Sequence, residues 1–365
     1  MTREQTHKPP TEATLDAFVR IVGEDNAIRD AQAMAPYLVE WRDRYRGKAA
    51  LVLKPGETEE VAAILTHANA TRTAIVPQGG NTGLVGGQIP FESGHEVVVA
   101  LERLNRVRDI DLASNTMTVE AGLVLAHAQQ VASSAGRLFP LSLASEGSCQ
   151  IGGALATNAG GTSVLAYGNA RELTLGIEVV LADGRIWDGL KSLRKDNSGY
   201  DLKDLFIGSE GTLGIITAAV LRLFPKPAEK VTAMAGLSDL EMAPAFFARV
   251  LERAGSCLTG FEIMPRMAPG LVMARKNVCG IIPVCSNRCD FCPSGMVSCG
   301  DLNNRPRPNT IRSKPPASWI ALALATMTSE IALMLKAAIA ASRPSASTAP
   351  IPAASPPQKP RATAL

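Results

Sequence analysis

The chain has 365 residues, 46% of them hydrophobic, and a formal net charge of +3, which is room for two or three domains with an ample core. The charge is unevenly placed: residues 1–275 hold 27 Lys and Arg against 31 Asp and Glu, and residues 276–365 hold 10 against 3. A basic excess confined to a Pro-rich tail, without interleaved aromatics or a nucleic-acid motif, argues against nucleic acid as a partner. The N-terminus carries Glu4, Glu12 and Asp16 and has no apolar core, so it reads as neither a secretory signal nor a typical transit peptide, and cytoplasmic residence is expected.

Residues 15–45 carry apolar positions at roughly helical spacing and read as an N-terminal helical segment. Residues 49–53 (Ala-Ala-Leu-Val-Leu) form a short buried strand, and 57–70 a helix that Thr58 can cap, with acidic residues suited to its dipole. Residues 73–76 (Thr-Ala-Ile-Val) lead as a strand into Pro77-Gln78-Gly79-Gly80-Asn81-Thr82-Gly83-Leu84-Val85-Gly86-Gly87. Five glycines in eleven positions cannot build a core, but they can present a row of backbone N–H groups to an anion. The spacing is not the G-x-G-x-x-G of a nicotinamide fold, and no Lys-Ser/Thr pair completes a P-loop. A dinucleotide held in some other fold is the reading that remains.

Strands follow at 96–100 and 117–120, separated by 103–111, then a helix from Leu123 ended by Gly136. A second glycine-rich tract spans 140–161 and includes Ile151-Gly152-Gly153 and Asn158. Residues 173–181 read as a strand, and Asp183-Gly184 as a turn into 185–187. A third tract spans 195–217, with Gly208-Ser209-Glu210-Gly211-Thr212-Leu213-Gly214 running into a strand from Ile215 to Phe224. Three such tracts set against β-type runs imply one extended ligand touched along its length. The alternation of strands and helices indicates an α+β or α/β fold.

The phrases at 78–87, 151–161 and 206–217, in this order, resemble the FAD-binding domain of vanillyl-alcohol-oxidase-type flavoproteins. Among these the likeness is to the D-2-hydroxyacid dehydrogenase branch, which includes D-2-hydroxyglutarate and D-lactate dehydrogenases and the glycolate oxidase FAD subunit. It covers roughly 250 of the 365 residues, from near Leu15 through Phe261-Glu262-Ile263-Met264. The resemblance implies an α+β chain with a two-subdomain PCMH-type FAD-binding fold: a helical segment at 1–45, the FAD-binding domain at 46–227, the start of a cap domain at 228–275, and an unmatched tail at 276–365.

It also implies ligand roles. Pro77, Gly79, Gly80, Asn81, Thr82 and Gly83 would cradle the FAD pyrophosphate. Pro140, Leu141, Ser145, Gly147, Gly152 and Asn158 would follow the ribose and the flavin edge. Gly211 and Gly214 belong to the third tract, and Ile215 and Ile216 would lie near the adenine or ribose. Many relatives carry a histidine in the first loop that bonds covalently to the flavin; Asn81 follows the glycine pair here, so FAD is expected to be noncovalent. Glu146 and Glu210 could polarise ribose hydroxyls or simply bond loop amides. Tyr200 and Asp201 read as capping or packing residues, and Trp187 as a strand-packing residue.

The chemistry implied is oxidation of a D-2-hydroxy acid to a 2-oxo acid, with hydride passing from C2 to the flavin and a base taking the hydroxyl proton. The family's His-x-Gly-Asp-Gly-Asn-x-His-type stretch and later Glu-His pair, which belong to the cap, do not occur in this sequence. The only histidines are His7, His67, His95 and His127; none is expected to be the base, and no resident metal is expected. The partners implied are a small 2-hydroxy acid and an electron acceptor of unspecified kind, and self-association is compatible with the sequence. The competing reading is a noncatalytic flavin-binding remnant, or a metal-binding or interaction role for the tail.

That tail holds 12 of the 24 prolines and five of the seven cysteines. Its abrupt composition is read as a reading-frame shift after about codon 275, the alternative being a genuine unrelated extension. Cys285, Cys289 and Cys292 have C-x3-C-x2-C spacing, as in four-iron cluster enzymes, but too little chain follows for the barrel such enzymes need. Cys279 or Cys299 could add a zinc ligand. Residues 319–341 are apolar but interrupted by Ser329, Glu330 and Lys336, which favours a helix over a membrane span. Residues 345–365 are Ala/Pro/Ser-rich and expected to be disordered.

Overall fold

The computed structural model describes residues 8–237, 240–264 and 320–324. Helix α1 (Glu12–Val22) begins where the Thr11 hydroxyl accepts from the Thr14 amide and ends at Gly23, whose φ of 82° a side chain would resist. The helical reading of 15–45 holds only this far. Beyond Gly23 the chain makes strand β1 (Ala27–Ile28), helix α2 (Ala31–Met34) and a 3-10 turn. The break has a local cause, since Asp30 accepts from the Ala33 amide and starts a new helix.

Strand β2 (Leu51–Leu53), helix α3 (Thr58–Thr71), strand β3 (Ile75–Gln78) and strand β4 (Val97–Ala100) complete a first layer, ordered β1-β2-β4-β3. Strands β2, β3 and β4 run parallel and β1 antiparallel. Alternation sends Leu51, Leu53, Val97 and Val99 to the face covered by α1 and α3, and Val52, Val76, Val98 and Ala100 to the face covered by Met34, Ile28 and Leu38. Thr58 does not cap α3. It is buried, and its hydroxyl donates to Glu178 at 2.8 Å, while Glu57 holds the cap position without a side-chain bond.

The second layer is antiparallel, ordered β5-β6-β10-β8-β9. It is built from β5 (Val107–Asp111), β6 (Thr116–Glu120), β8 (Thr174–Leu181), β9 (Ile186–Gly189) and β10 (Gly214–Arg222). Strand β5 arises inside the stretch expected only to separate its neighbours. Helix α4 (Leu125–Ser134), strand β7 (Arg137–Leu138), helix α5 (Ile151–Ala156), helix α6 (Val164–Tyr167), helix α7 (Lys203–Phe206) and strand β11 (Phe224–Pro225) complete this subdomain. Of the nine residues of β10, eight are buried, because the strand is covered on both faces. Ile215 joins the core shared with the first layer, and Ile216 joins the core of the second. The layers also meet through charge. Buried Glu120 accepts from Arg106 at 2.9 Å and Arg108 at 3.3 Å; Arg108 reaches Glu178 at 3.2 Å, and Arg106 reaches Glu57 at 2.7 Å.

Beyond Pro225 lie β12 (Ala233–Leu237), α8 (Ala243–Ala254), β13 (Phe261–Met264) and β14 (Ile320–Leu324). They form an antiparallel sheet ordered β12-β14-β13 under α8. Ala243, Val250 and Ala254 bury one stripe of α8, and Phe247 meets Phe261 edge to face at 4.8 Å. The middle strand corrects the helical expectation for 319–341 over Ile320–Leu324, which bonds to strands on both sides. Cys279, Cys285, Cys289, Cys292 and Cys299, and the low-complexity stretch 345–365, lie outside the described residues.

Candidate cofactor site

The three glycine tracts meet in space. The first leaves β3 at Gln78, which is buried and whose Nε2 donates to the carbonyls of Tyr37 and Gln88, both at 2.9 Å. Asn81 sits at φ 52° and donates through Nδ2 to Pro36 O at 3.1 Å and Val39 O at 2.9 Å. Gln88 closes the loop by donating to Asn81 Oδ1 at 3.2 Å and Gly83 O at 3.0 Å. Side chains thus fix the loop, and its main chain is left over. Among the described residues, none of the backbone N–H groups of 79–87 is paired with a carbonyl. Residues 79–83 are half-buried and Leu84, Val85 and Gly87 are exposed, so the free N–H groups of 79–83 are the ones placed to cradle an anion.

The second tract presses against the first. A Cβ on Gly80 would stand 2.0 Å from Ser148 O, and one on Gly79 would stand 3.4 Å from Gln150 Oε1. A Cβ on Gly83 would meet the Gln88 amide at 2.7 Å. The third tract locks on through Gly211, at φ 77°, where a Cβ would stand 2.7 Å from Pro77. Glu210, at φ 52°, brings Oε2 to 3.4 Å from the place of a Gly87 Cβ. Gly147 and Gly153, by contrast, face open space.

Pro77, Gly79, Gly80, Asn81, Thr82, Gly83 and Gly211 therefore gather at one locus. Other expected site residues have structural employment. Gly152 packs on Ala121, whose Cβ would be 2.7 Å away, and Gly214 packs on Val179. Asn158, at φ 47°, accepts from the Arg171 amide at 3.1 Å. Ser145 O accepts from the amides of Ser148 and Cys149, each at 2.8 Å, and shapes the second tract. The side chains of Ile215 and Ile216 belong to the two cores, and their main chain pairs with Val180 and Val179.

Pro140 and Leu141 line a different feature, a cleft of about 660 Å3 between the second tract and the segments 226–230 and 256–259, with Gln129, Glu146, Tyr167 and Cys257. Glu146 accepts from Gln129 Nε2 at 3.3 Å. Trp187 stacks on Phe206 at 5.5 Å, a packing role. Tyr200 is 93% exposed, and Asp201 pairs with Lys203 at 2.7 Å. His67 bonds Thr14 O at 3.2 Å and meets Phe18 edge to face, so it is a satisfied helix residue. Burial pushes the Cys149 thiol up. Burial, with Glu102 beside it, pushes the Tyr37 phenol up to about 12. Among the described residues no three His, Cys, Asp or Glu groups are placed to hold a metal ion, and no helix is long and apolar enough to cross a membrane.

One residue was passed over in the sequence. Gln150 is 7% exposed, and its Oε1 has no hydrogen-bond partner. In the sequence it is one polar residue among Ser145, Glu146 and Ser148 on the approach to α5, and nothing there sets it apart. The N–H groups of 79–83 without a carbonyl partner, on a loop of glycines pressed close to the second tract, fit the phosphates of a dinucleotide.

Residues 49–189 match a family model described as an FAD binding domain. The chain is 42% identical over 254 residues to a mitochondrial D-2-hydroxyglutarate dehydrogenase of Bos taurus, covering 70% of this chain and 46% of that protein. It is 38% identical over 253 residues to the D-2-hydroxyglutarate–pyruvate transhydrogenase of Saccharomyces cerevisiae, covering 68% and 51%. Among solved structures, an alkyldihydroxyacetonephosphate synthase aligns at a TM-score of 0.68 and 17% identity over 93% of this chain and 60% of that one. p-Cresol methylhydroxylase aligns at 0.64 and 16% over 90% and 63%. The fold is that of PCMH-type FAD-binding proteins. The chain carries the FAD-binding domain of the FAD-linked oxidase family, and its cofactor is FAD. It spans about half the length of the curated relatives it matches.

Proposed function

We propose that this chain holds FAD noncovalently across its three glycine tracts and serves the oxidation of a D-2-hydroxy acid, of the D-2-hydroxyglutarate or D-lactate type, to the 2-oxo acid. The observation that carries the reading is the row of unpaired amides at 79–87, held by Gln78, Asn81 and Gln88. The phosphate-facing role falls to Gly79, Gly80, Asn81, Thr82 and Gly83 through main-chain donors. Gly211 and Pro77 hold the third tract against them, and Asn158 fixes the turn that follows α5. Ser145 and Gly147 shape the second tract, Gly152 and Gly214 set its spacing on the sheet, and Ile215 and Ile216 support the site from within the two cores. Pro140 and Leu141 line the cleft that segments 226–230 and 256–259 close, where the substrate side of the cofactor would lie. FAD, when bound, supplies the hydride acceptor; the protein's part is to bind, orient and exclude water.

Noncovalent attachment rests on Asn81 standing where many relatives carry the flavin-linking histidine. The cytoplasmic assignment rests on the composition of the N-terminus, whereas the Bos taurus relative is named as mitochondrial. The decisive experiment is an anaerobic absorption spectrum of the purified chain before and after D-2-hydroxyglutarate or D-lactate. Oxidised-flavin bands that bleach support turnover by this chain. Bands that persist with both acids favour a cofactor-binding remnant. No bands after reconstitution with FAD would sink the proposal.

A further inference from the structure

We propose that the groove between residues 45–46 and 85–93 holds a second ligand, a neutral planar quinone that takes electrons from the flavin. The proposal rests on the reading that the chain holds FAD for hydride transfer, which leaves the electron acceptor unspecified. The groove has a volume of about 580 Å3, the size of a small-molecule site, and its apolar lining is Tyr45, Val85, Ile89, Pro90 and Phe91. Val85 is 67% exposed and Phe91 62%, and Trp41, Tyr45 and Leu84 beside them are exposed too, so aromatic and apolar surface is concentrated here. The walls are fixed by main chain. Gly86, at φ 78°, lies against the Tyr45 ring, where a Cβ would come to 2.7 Å. The Ile89 amide donates to Gly86 O and the Lys48 amide to Phe91 O, both at 3.0 Å.

The groove is continuous with the cofactor site. Val85 follows Gly83 by two residues, and Gln88, next to Ile89, donates to Asn81 Oδ1 at 3.2 Å. A ligand seated there lies beside the cofactor and not in its place. The lining then selects the ligand. Arg46 is paired with Asp43 through Nε at 2.5 Å and Nη2 at 2.6 Å, and Glu92 adds a negative charge, so the groove offers no net positive charge to an anion. A neutral ring fits, with the aromatic faces of Tyr45 and Phe91 to pack on. Ser93, whose Oγ accepts from the His95 amide at 3.4 Å, keeps its own hydrogen for a carbonyl oxygen. The step balances. The quinone gains two electrons and two protons, and its two C=O groups become C–O–H groups of a quinol. The electron pair and one proton are those delivered to the flavin as hydride, the second proton comes from water, and FAD is left oxidised.

The test uses the full chain, flavin-free and loaded with FAD, with menadione as the probe. Binding is read by equilibrium dialysis. Anaerobic reoxidation of flavin that light has reduced is followed by absorbance, so no hydroxy acid is needed. Wild-type protein is expected to bind menadione, and its reoxidation rate to saturate. Phe91→Ser and Tyr45→Ser are expected to weaken menadione about tenfold or more while FAD affinity stays as in wild type. Wild-type protein that binds no menadione, or two folded variants that bind it as wild type does, would overturn the proposal. Bound flavin that menadione reoxidises without saturation would overturn it and leave the FAD reading standing. A wild-type dimer that Phe91→Ser dissociates, with no menadione bound, would assign the groove to a second copy of the chain instead. Protein that takes up no FAD would remove the flavin reading itself, and the proposal with it.

Discussion

Gly80 and Gly153 make opposite predictions from one geometry. A Cβ on Gly80 would stand 2.0 Å from Ser148 O, whereas one on Gly153 meets no atom within 4 Å. Gly80→Ala must therefore separate the first two tracts by about 1 Å or more to restore van der Waals contact. Overpacking of this kind costs about 1–3 kcal/mol, a melting temperature lower by about 2–10 °C in a protein of this size. Gly153→Ala lies in α5 and gains about 0.5–1 kcal/mol from the helix propensity of alanine. Its flavin-free protein should melt at the same temperature or about 1–4 °C higher. Both should lose FAD, for different reasons: Gly80→Ala because the cradle is distorted, Gly153→Ala because a methyl group occupies space the ligand needs. We expect at least a tenfold weaker dissociation constant for Gly153→Ala, about 1.4 kcal/mol. The assay is paired melting of the flavin-free proteins and fluorescence titration with FAD. Gly153→Ala protein that is stable and binds FAD like wild type would refute the placement of the cofactor against the second tract.

The remaining predictions test other parts of the molecule. Burial alone would raise the Glu178 carboxyl, but hydrogen bonds from Arg108, Thr217 and Thr58 hold it below the usual carboxylate range. Its stabilising contribution is therefore full above the unfolded value, about 4.3, and is lost as pH falls through the lower folded value. Glu178→Gln should cost about 2 kcal/mol at neutral pH and flatten the acid limb of the stability profile below about pH 4; an unchanged limb would show that Glu178 does not link the layers. Burial raises the Cys149 thiol, whereas Cys257 is only partly buried, so mapped alkylation of the native protein should label Cys257 well before Cys149. Flavin should remain in the supernatant after acid precipitation; flavin carried down with the protein would contradict noncovalent attachment.

Much of the fold was legible because the cues were local and repeated. The runs at 51–53, 97–100 and 214–222 are β-branched and apolar, and their burial on one or both faces decided the layers. What misled was also local. Residues 15–45 kept a roughly helical spacing, but Gly23 at φ 82° and the Asp30 cap divide them. Thr58 is a capping residue by type, yet the buried carboxylate of Glu178 outcompetes the helix end for its hydroxyl. Strand β5 carries Arg108 and Asp109 in a stretch with no hydrophobic alternation, and its reason is a charge pair with Glu120 on the neighbouring strand. Ile320–Leu324 reads by periodicity as readily as helix as strand; only its pairing with β12 and β13 decides.

The candidate site shows the same division more sharply. Glycine spacing identified three tracts, because the need to bring main chain close to a ligand leaves a compositional mark. The same mark is left by glycines that let two protein segments approach, and Gly152 against Ala121 and Gly214 against Val179 do so, as Gly80 does against Ser148 and Gly211 against Pro77. Distinguishing the two requires knowing what stands opposite each Cα, which is a property of the assembled chain. The donors at 79–87 could be anticipated from composition, but that they stay unpaired follows from Gln78, Asn81 and Gln88 holding the loop by side chains. Those three residues spend their own amides so that the main chain need not. Replacing any of them should loosen the cradle without touching a ligand contact of the main chain, and the loss would appear in FAD affinity before it appears in the stability of the fold.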